Sequence, residues 1–148
     1  MKQKPLKAKE VNRLISGIEI SKKDNVVLIE DENYKIIRVN KEPYFFYYED
    51  KLLPTLKLLQ TNDLLKKITV DMGAIKFVVN GADVMRPGIT KIQEGIEKGE
   101  AIVIVDENNQ KPLSVGIALL SAEEMEAASS GKVIKNIHYV GDEIWELK

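Results

Sequence analysis

Residues 70–89 read VDMGAIKFVVNGADVMRPGI, and this stretch decides the fold. An apolar run ends at Asn80-Gly81, a short polar segment follows, and the stretch closes on Arg86-Pro87-Gly88. Glycine permits positive φ and lets a ligand approach the main chain closely, whereas proline restricts the residue before it to extended conformations. The pattern therefore predicts either a stiff loop that exposes an arginine or a turn that closes a barrel.

The composition excludes several classes of protein. Hydrophobic residues make up 44% of the 148 residues and charged residues 30%, which is typical of a packed domain. No apolar run approaches the ~20 residues that span a bilayer, and the first ten residues lack the apolar segment of a secretory signal. With no cysteine and one histidine, disulfides, thiolate nucleophiles and histidine metal clusters are excluded. We expect a cytoplasmic protein without membrane contact, cofactor or metal.

Charge is distributed unevenly along the chain. Residues 1–23 contain seven basic and two acidic residues, whereas residues 67–148 carry a net charge of −4. The acidic second part argues against broad non-specific nucleic-acid binding, so duplex DNA is not expected as a partner. The basic segment is either a solvated face or an arm that contacts phosphate through Lys2, Lys4, Lys7, Lys9 and Arg13.

Residues 1–66 are predicted to form a small α+β domain. The apolar spacing of residues 11–18 indicates one amphipathic helix that ends near Gly17. An antiparallel meander is predicted from three strand-like runs at residues 26–30, 34–39 and 44–49. The aromatic residues 44–48 would place one face in the core and leave the other for a domain interface or a stacking surface. Thr55 can cap a short helix that carries leucines into the core.

Residues 67–148 are predicted to form a small β barrel, because short strands alternate with turns every 8–12 residues. Strands are expected at residues 74–79, 101–105, 113–120, 138–140 and 144–147. Ile92 and Ile96 are placed on a helical turn that ends at Gly99. Ser121 and Glu124 match a capping box, which predicts a helix with Gly131 as its left-handed C-terminal residue.

No catalytic arrangement is recognisable in the chain. It has no nucleophile elbow, no phosphate-binding loop and no dinucleotide fingerprint, and no pair of carboxylates is marked for acid–base work. We therefore expect a protein that is not an enzyme. His138 either packs its ring beside Tyr139 or stacks on a nucleotide.

The stretch GAIKFVVNGADVMRPGI resembles the signature of the PUA domain, the RNA-binding module named after pseudouridine synthases and archaeosine transglycosylases. The segments FFYYEDKLLPTLKLL, SAEEME and NIHYVGDEIW resemble, in order and spacing, the malignant T-cell-amplified-sequence family of translation factors. The resemblance covers roughly residues 35–148, and the short chain is similar to an archaeal-type member.

The resemblance implies an α+β chain in which the N-terminal domain precedes a PUA-type pseudo-barrel at residues 67–148. It implies a non-catalytic role in translation initiation, reinitiation or ribosome recycling, with structured RNA (a tRNA or small-subunit rRNA) as partner and a density-regulated-protein-like factor as a second partner. The RNA-binding residues expected from it are Lys76, Gly81, Ala82, Met85, Arg86, Pro87, Gly88, His138 and Tyr139.

Two other functions remain open on the sequence. The chain could be a protein-interaction adaptor for an initiation-factor-like partner, or the RNA-specificity subunit of a tRNA-modifying enzyme. A pull-down with and without nuclease would separate RNA binding from the adaptor function, and a specificity subunit would require a catalytic partner.

Overall fold

The structure, a computed structural model, describes residues 1–147 and divides the chain into two compact units. The first contains Met1–Leu64 together with Glu146 and Leu147, and the second contains Leu65–Trp145. This division lies two residues before the expected boundary between Lys66 and Lys67. That residues 67–148 fold independently stays a prediction. No helix among residues 1–147 is long and apolar enough to cross a membrane.

The first unit is a five-stranded antiparallel meander with two short helices. In chain order its elements are β1 (Lys2–Leu6), α1 (Ala8–Asn12), β2 (Val26–Glu30), β3 (Lys35–Val39), β4 (Glu42–Tyr48), β5 (Lys51–Pro54) and α2 (Leu56–Leu59). The strands lie in sequence order across the sheet, which confirms the predicted meander. Thr55 caps α2 by accepting a hydrogen bond from Leu58 N, as expected.

The basic N-terminal segment is a strand, which the sequence did not predict. β1 pairs antiparallel with β2, and Lys2 lies opposite Glu30. Because side chains alternate along a strand, Lys2 and Lys4 share one face of the sheet, whereas Gln3 and Pro5 lie on the other. Four of the five β1 residues are exposed, so the two lysines are available at the sheet edge.

The first helix is shorter than predicted. α1 ends at Asn12, and Leu14, expected on its apolar face, is 57% exposed. The Asn12 side chain donates to Ile20 O at 2.9 Å and accepts from Ile20 N at 2.8 Å. This amide pairs with the returning chain, so the segment folds back instead of continuing the helix.

The aromatic run in β4 is largely core. Phe45 and Phe46 are both buried although they point to opposite faces, while Tyr44, Tyr47 and Tyr48 are half-buried. A bulge lies beside them, because Arg38 pairs with Pro43 while Ile37 pairs with Phe45. The two phenylalanines are therefore not part of an exposed stacking surface.

The second unit is a curled six-stranded sheet with two helices, which confirms the expected α+β pseudo-barrel. Its elements are β6 (Lys66–Val70), α3 (Ile75–Val78), β7 (Val84–Met85), β8 (Ile89–Ile92), β9 (Ala101–Asp106), β10 (Pro112–Ala118), α4 (Ala122–Ala127) and β11 (Lys132–Tyr139). The sheet order is β7-β11-β10-β9-β6-β8, and only the β6–β9 pair is parallel among the described strands. The apolar side chains of the barrel surround Ile104, Met125 and Ile134, which are fully buried.

The strand predicted at residues 74–79 is wrong, because this segment is helical. A 3₁₀ turn at Met72–Ala74 leads into α3, and Asp71 Oδ1 accepts from Ala74 N at 2.9 Å. Ile75, Val78 and Val79 pack against the core, whereas Lys76 and Phe77 are exposed. This is the i, i+3, i+4 spacing of a helix, and the cap at Asp71 decides between the two periods.

Three further local predictions need correction. Ile92 lies at the end of β8 and not on a helical turn, and residues 144–146 form turns instead of a strand. The capping box at Ser121 and Glu124 is confirmed, with Glu124 N 3.1 Å from Ser121 Oγ. However, α4 ends at Ala127, and the extended backbone of its C-cap Ala128 leaves Gly131 outside the helix terminus.

Candidate functional site

An open apolar groove of about 500 Å³ is formed by the stretch with which the sequence analysis began. Its lining residues all lie between positions 71 and 88: Asp71, Gly73, Ala74, Phe77, Val78, Ala82, Asp83, Val84, Met85, Pro87 and Gly88. We call it the 71–88 groove. One contiguous segment therefore supplies the whole lining.

Close backbone contacts hold the two ends of this segment together. Asp71 N donates to Gly88 O at 2.9 Å, and a Cβ atom at Gly88 would lie 3.3 Å from Ala74 Cβ. Glycine at 88 therefore lets the 3₁₀ turn before α3 pack against the 3₁₀ turn at Arg86–Gly88.

Two large apolar side chains at the groove are exposed. Phe77 on α3 is 57% exposed and Met85 at the end of β7 is 50% exposed. Exposed aromatic and methionine side chains lining one groove are unusual on a surface without a binding role, and they offer a flat, polarizable contact for a ligand ring.

The charged residues that line the groove are both acidic. Asp83 Oδ1 accepts from Asn136 N at 2.9 Å, and Asp83 Oδ2 lies 3.0 Å from Lys132 Nζ. Burial raises the pKa of Asp83, but the Asn136 N–H and the Lys132 ammonium outweigh it and hold the pKa below its ordinary value. Asp83 is therefore ionised at neutral pH, with Lys132 as its counter-ion.

Gly81 shapes the turn that follows α3. Its φ is +88°, and a Cβ atom there would lie 2.9 Å from Cε1 of Tyr139. The turn is fixed by Ala82 N, which donates to Phe77 O at 3.0 Å. Gly81 therefore packs closely against Tyr139, and neither residue lines the groove.

Arg86 is not the exposed arginine that the sequence predicted. It is half-buried, and its Nε donates to Met125 O at 2.6 Å while Nη1 donates to Ile89 O at 3.2 Å. Both acceptors are backbone carbonyls, and Met125 lies in the last turn of α4, where a cation is favoured. The expected exposure of the Arg86 side chain is therefore wrong, whereas its contact with RNA stays a prediction.

His138 is also misplaced by the sequence interpretation. It is 1% exposed in β11, and its Nδ1 lies 2.8 Å from Asp142 Oδ2. Asp142 in addition accepts from Tyr139 N and Trp145 N, both at 2.9 Å. A ring enclosed in this way cannot stack on a nucleotide, so the structure supports a buried His138.

The predicted site residues therefore separate into three groups. Ala82, Met85, Pro87 and Gly88 line the groove. Lys76 is exposed beside it, with Nζ 5.2 Å from the centroid of the Phe77 ring. The remaining predictions, Gly81, Arg86, His138 and Tyr139, lie outside the lining. Phe77, Asp71 and Asp83 were missed, and helical spacing at residues 75–79 would have marked Phe77 as exposed.

No group of three or more histidine, cysteine, aspartate or glutamate side chains within residues 1–147 is arranged to hold a metal ion. The buried carboxylate of Asp106 is satisfied locally. The pKa of Asp106 is lowered, chiefly because its carboxylate accepts a hydrogen bond from the N–H of Asn109. Burial raises the pKa, but the N–H groups of Lys111 and Asn108 lower it further and outweigh burial.

Comparison with protein families matches the fold. Residues 66–140 match the PUA domain, and residues 2–62 match a domain of unknown function, DUF1947. The chain is 51% identical over 130 residues to an uncharacterized protein of Methanocaldococcus jannaschii, covering 87% of this chain and 80% of the relative. It is 35% identical to translation machinery-associated protein 20 of Saccharomyces cerevisiae, covering 98% and 87%.

Vertebrate relatives and solved structures agree. Malignant T-cell-amplified sequence 1 of Rattus norvegicus is 38% identical, covering 86% of this chain and 73% of the relative. A hypothetical protein of Pyrococcus horikoshii superposes with a TM-score of 0.85 at 35% identity, covering 98% of each chain. A chain of the archaeal box H/ACA sRNP Nop10–Cbf5 complex has a TM-score of 0.52 at 27% identity, covering 67% of this chain and 31% of that one.

These findings first define a class, the PUA-domain proteins with an α+β domain before the barrel. Within it, the chain belongs to the family of malignant T-cell-amplified sequence proteins and translation machinery-associated protein 20. The family assignment supports an RNA-binding, translation-related role.

Proposed function

We propose that the protein is a non-catalytic, cytoplasmic RNA-binding protein of translation whose 71–88 groove holds the unpaired 3′-terminal nucleotide of a tRNA or of small-subunit rRNA. The observation that carries this proposal is the combination of exposed apolar side chains with acidic, and no basic, lining residues. Translation initiation, reinitiation or ribosome recycling is the setting that the names of the relatives support.

The apolar part of the groove suits a nucleobase. A base stacked on an aromatic side chain gains about 1–3 kcal/mol, and this gain requires that the base be unpaired. Phe77 supplies the aromatic face and Met85 a polarizable neighbour, both at least half exposed before any ligand binds. A base paired within a duplex could not reach them.

The acidic part of the groove suits a chain end. A phosphodiester beside Asp71 and Asp83 would be repelled, whereas ribose hydroxyls can donate to carboxylate oxygens. A 3′-terminal nucleoside has two free hydroxyls and no phosphate on its 3′ side. The exposed Lys76 lies just outside the lining, where it can face the phosphate that precedes the terminal nucleoside.

The experiment compares three forms of one tRNA: with a free 3′-hydroxyl, with a 3′-terminal phosphate, and without the unpaired 3′ nucleotides. We expect the free 3′-hydroxyl form to bind most tightly, with at least about tenfold weaker binding for the other two, since one added repulsive or lost stacking contact has that size. Equal affinities for all three would overturn the role of the groove.

A matched pair of variants locates the site. Phe77→Ala removes the stacking face, whereas Met72→Ala removes an apolar side chain of similar exposure that does not line the groove. Only Phe77→Ala should weaken binding of the free 3′-hydroxyl tRNA, and neither should lower the melting temperature much, because both side chains are exposed. An equal effect of both variants would contradict the proposed site.

Two alternatives give different outcomes in a pull-down with and without nuclease. A density-regulated-protein-like partner that stays bound after nuclease treatment would favour the adaptor function. The second alternative is a specificity subunit. It is suggested by the chain of the box H/ACA complex, in which the part similar to this protein is 31% of a longer chain. That function requires co-purification of a catalytic partner.

A further inference from the structure

The turn between α3 and β7 is held by one side chain from a neighbouring strand. Asn136 on β11 donates from Nδ2 to Val78 O at 3.0 Å and to Ala82 O at 3.1 Å. Its main-chain N donates to Asp83 Oδ1 at 2.9 Å. Val78, Ala82 and Asp83 all line the 71–88 groove, so a single residue outside the lining fixes three positions within it.

The orientation of this amide is determined by its neighbours. Both atoms facing it are carbonyl oxygens, so the nitrogen must point towards them, since a flipped amide would place three acceptors together. The other amide atom, Asn136 Oδ1, is buried and accepts no hydrogen bond from the residues that the structure describes. An unsatisfied buried oxygen lowers stability, so stability alone does not explain an asparagine at this position.

The strand is distorted where Asn136 lies. Gly116 of β10 pairs with Asn136, but the next residue, Val115, pairs with His138, so Ile137 has no partner in β10. A bulge of this kind changes the direction of the neighbouring side chains and is common beside functional sites. Both the bulge and the unsatisfied oxygen are explained if the two N–H donors of Asn136 have a geometric function.

We propose that Asn136 is a positioning residue that sets the width of the 71–88 groove by fixing the wall formed by Val78, Ala82 and Asp83. It acts through these residues and does not touch the ligand. This inference rests on the proposed function for its consequence, namely weaker RNA binding when the wall moves. The position of the wall itself can be tested without RNA.

The decisive variant is Asn136→Asp, which keeps the shape and replaces the two donors by acceptors. At neutral pH a carboxylate there faces two carbonyl oxygens, so the wall is pushed away, and affinity for the free 3′-hydroxyl tRNA should fall about tenfold, the effect of losing one such interaction. When the pH is lowered to about 5, the new carboxyl group takes up a proton and regains one donor. Binding should recover in part.

The charged groups around position 136 allow a change between pH 7 and 5 to be assigned to the new carboxyl group. Asp83 faces it from the turn that precedes β7, and Lys132 and Lys135 lie on β11 with Asn136. The pKa of Asp83 is lowered, so this residue stays ionised at pH 5. Repulsion by Asp83 and partial burial raise the pKa of the new carboxyl group towards the range tested.

Two controls separate positioning from general damage. Asn108→Asp adds the same charge at an exposed loop position and should bind as the wild type does. Asn136→Ala removes the donors without adding a titrating group, so it should bind weakly at both pH values. Recovery at low pH in Asn136→Asp alone is the signature of restored donation, which a loss of folding cannot produce.

A second measurement does not depend on RNA. The chain has four methionines, and ¹³C-methyl spectra report on Met85 in the groove and on Met1 in the first unit. In Asn136→Asp the Met85 signal should move relative to the wild type and return towards it at pH 5, while the Met1 signal stays fixed. If RNA fails to bind the wild type, this result still supports the positioning role.

The proposal is overturned by either of two results. An unchanged Met85 signal in both Asn136 variants would show that the wall does not depend on Asn136. A shifted Met85 signal without any recovery at pH 5 would show that hydrogen-bond donation is not the cause.

Discussion

Arg86 donates its Nε–H to the main-chain carbonyl of Met125 at 2.6 Å, so the arginine of the Arg-Pro-Gly turn fastens that turn to the last turn of α4. The two residues are 39 positions apart in sequence. The same guanidinium donates to Ile89 O at the start of β8. A residue that the sequence presents as an RNA contact thus joins two elements of the barrel.

Arg86→Ala should lower stability and leave direct RNA contacts intact. Two carbonyls lose a charged donor, which costs about 1.5–3 kcal/mol for a hydrogen bond of this kind. Thermal melting should show a decrease of several degrees, whereas Lys91→Ala, an exposed control in the same unit, should show none. Unchanged melting together with lost RNA binding would restore the original interpretation of Arg86.

Gly81→Ala should destabilise more than Gly99→Ala. The two glycines have the same φ of +88°, so the cost of a left-handed backbone, about 1–2 kcal/mol, is shared. A Cβ atom added at Gly81 would meet the Tyr139 ring, whereas a Cβ atom added at Gly99 would have no such neighbour within 4 Å. Urea unfolding measures the difference.

The double variant Gly81→Ala with Tyr139→Leu refines this test. Removing the ring should bring the added cost of Gly81→Ala down to the value at Gly99, because only the φ penalty remains. If the two single glycine variants cost the same, the close approach to Tyr139 has no energetic weight.

The buried pair of His138 and Asp142 should make the second unit sensitive to acid. Burial raises the pKa of Asp142, but the hydrogen bond and charge of His138 and the N–H groups of Trp145 and Tyr139 outweigh it, so the pKa is lowered. A lowered pKa stabilises the fold above the unfolded value of about 4, and this stabilisation is lost as the pH falls through the folded pKa.

Urea unfolding of the wild type and of Asp142→Asn between pH 7 and 3 tests this linkage. The difference in unfolding free energy should be largest at neutral pH and shrink below about pH 4, because the unfolded state takes up a proton there while the folded carboxyl group is protonated only at lower pH. Asp63→Asn, at an exposed position, should follow the wild type throughout. A difference that is constant with pH would show that ionisation of Asp142 contributes nothing.

The lysines of β1 remain candidates for phosphate contacts. Replacing Lys2 and Lys4 by glutamine should reduce the slope of log affinity against log salt by about 1–2, since each phosphate contact to a single strand contributes about 0.7. Stability should not change, because both side chains are exposed. Lys98 and Lys111 replaced together remove the same net charge in the acidic half, and an identical slope change there would exclude a specific role for β1.

The elements predicted correctly are those whose turn or capping residues lie within a few positions of them in the sequence. β2 occupies residues 26–30 as predicted, because a β-branched run is bounded by turn residues on both sides. Thr55 and Ser121 are found as helix caps, because a cap acts within three residues. The barrel was also expected, since its turns recur at short intervals.

The errors arise where contacts between residues far apart in the sequence determine the local structure or the burial of a side chain. An apolar run as short as residues 74–79 fits a strand or a helix equally well, and the cap at Asp71 resolves it. The partners of Arg86 and His138 were invisible, because burial is a property of the assembled fold. A polar residue in a recognised motif was therefore taken as exposed when it was holding the motif in place.

The parallel pair of β6 and β9 has a consequence for the order of folding. Val70 lies opposite Asp106, and the whole 71–88 groove lies in the chain between these partners. Closing a parallel pair across some thirty residues costs loop entropy before its contacts form, so it is a slow step. We expect the groove to be absent from early intermediates on the ribosome, where β9 has not yet been synthesised. A nascent chain would thus gain RNA affinity only after the barrel closes.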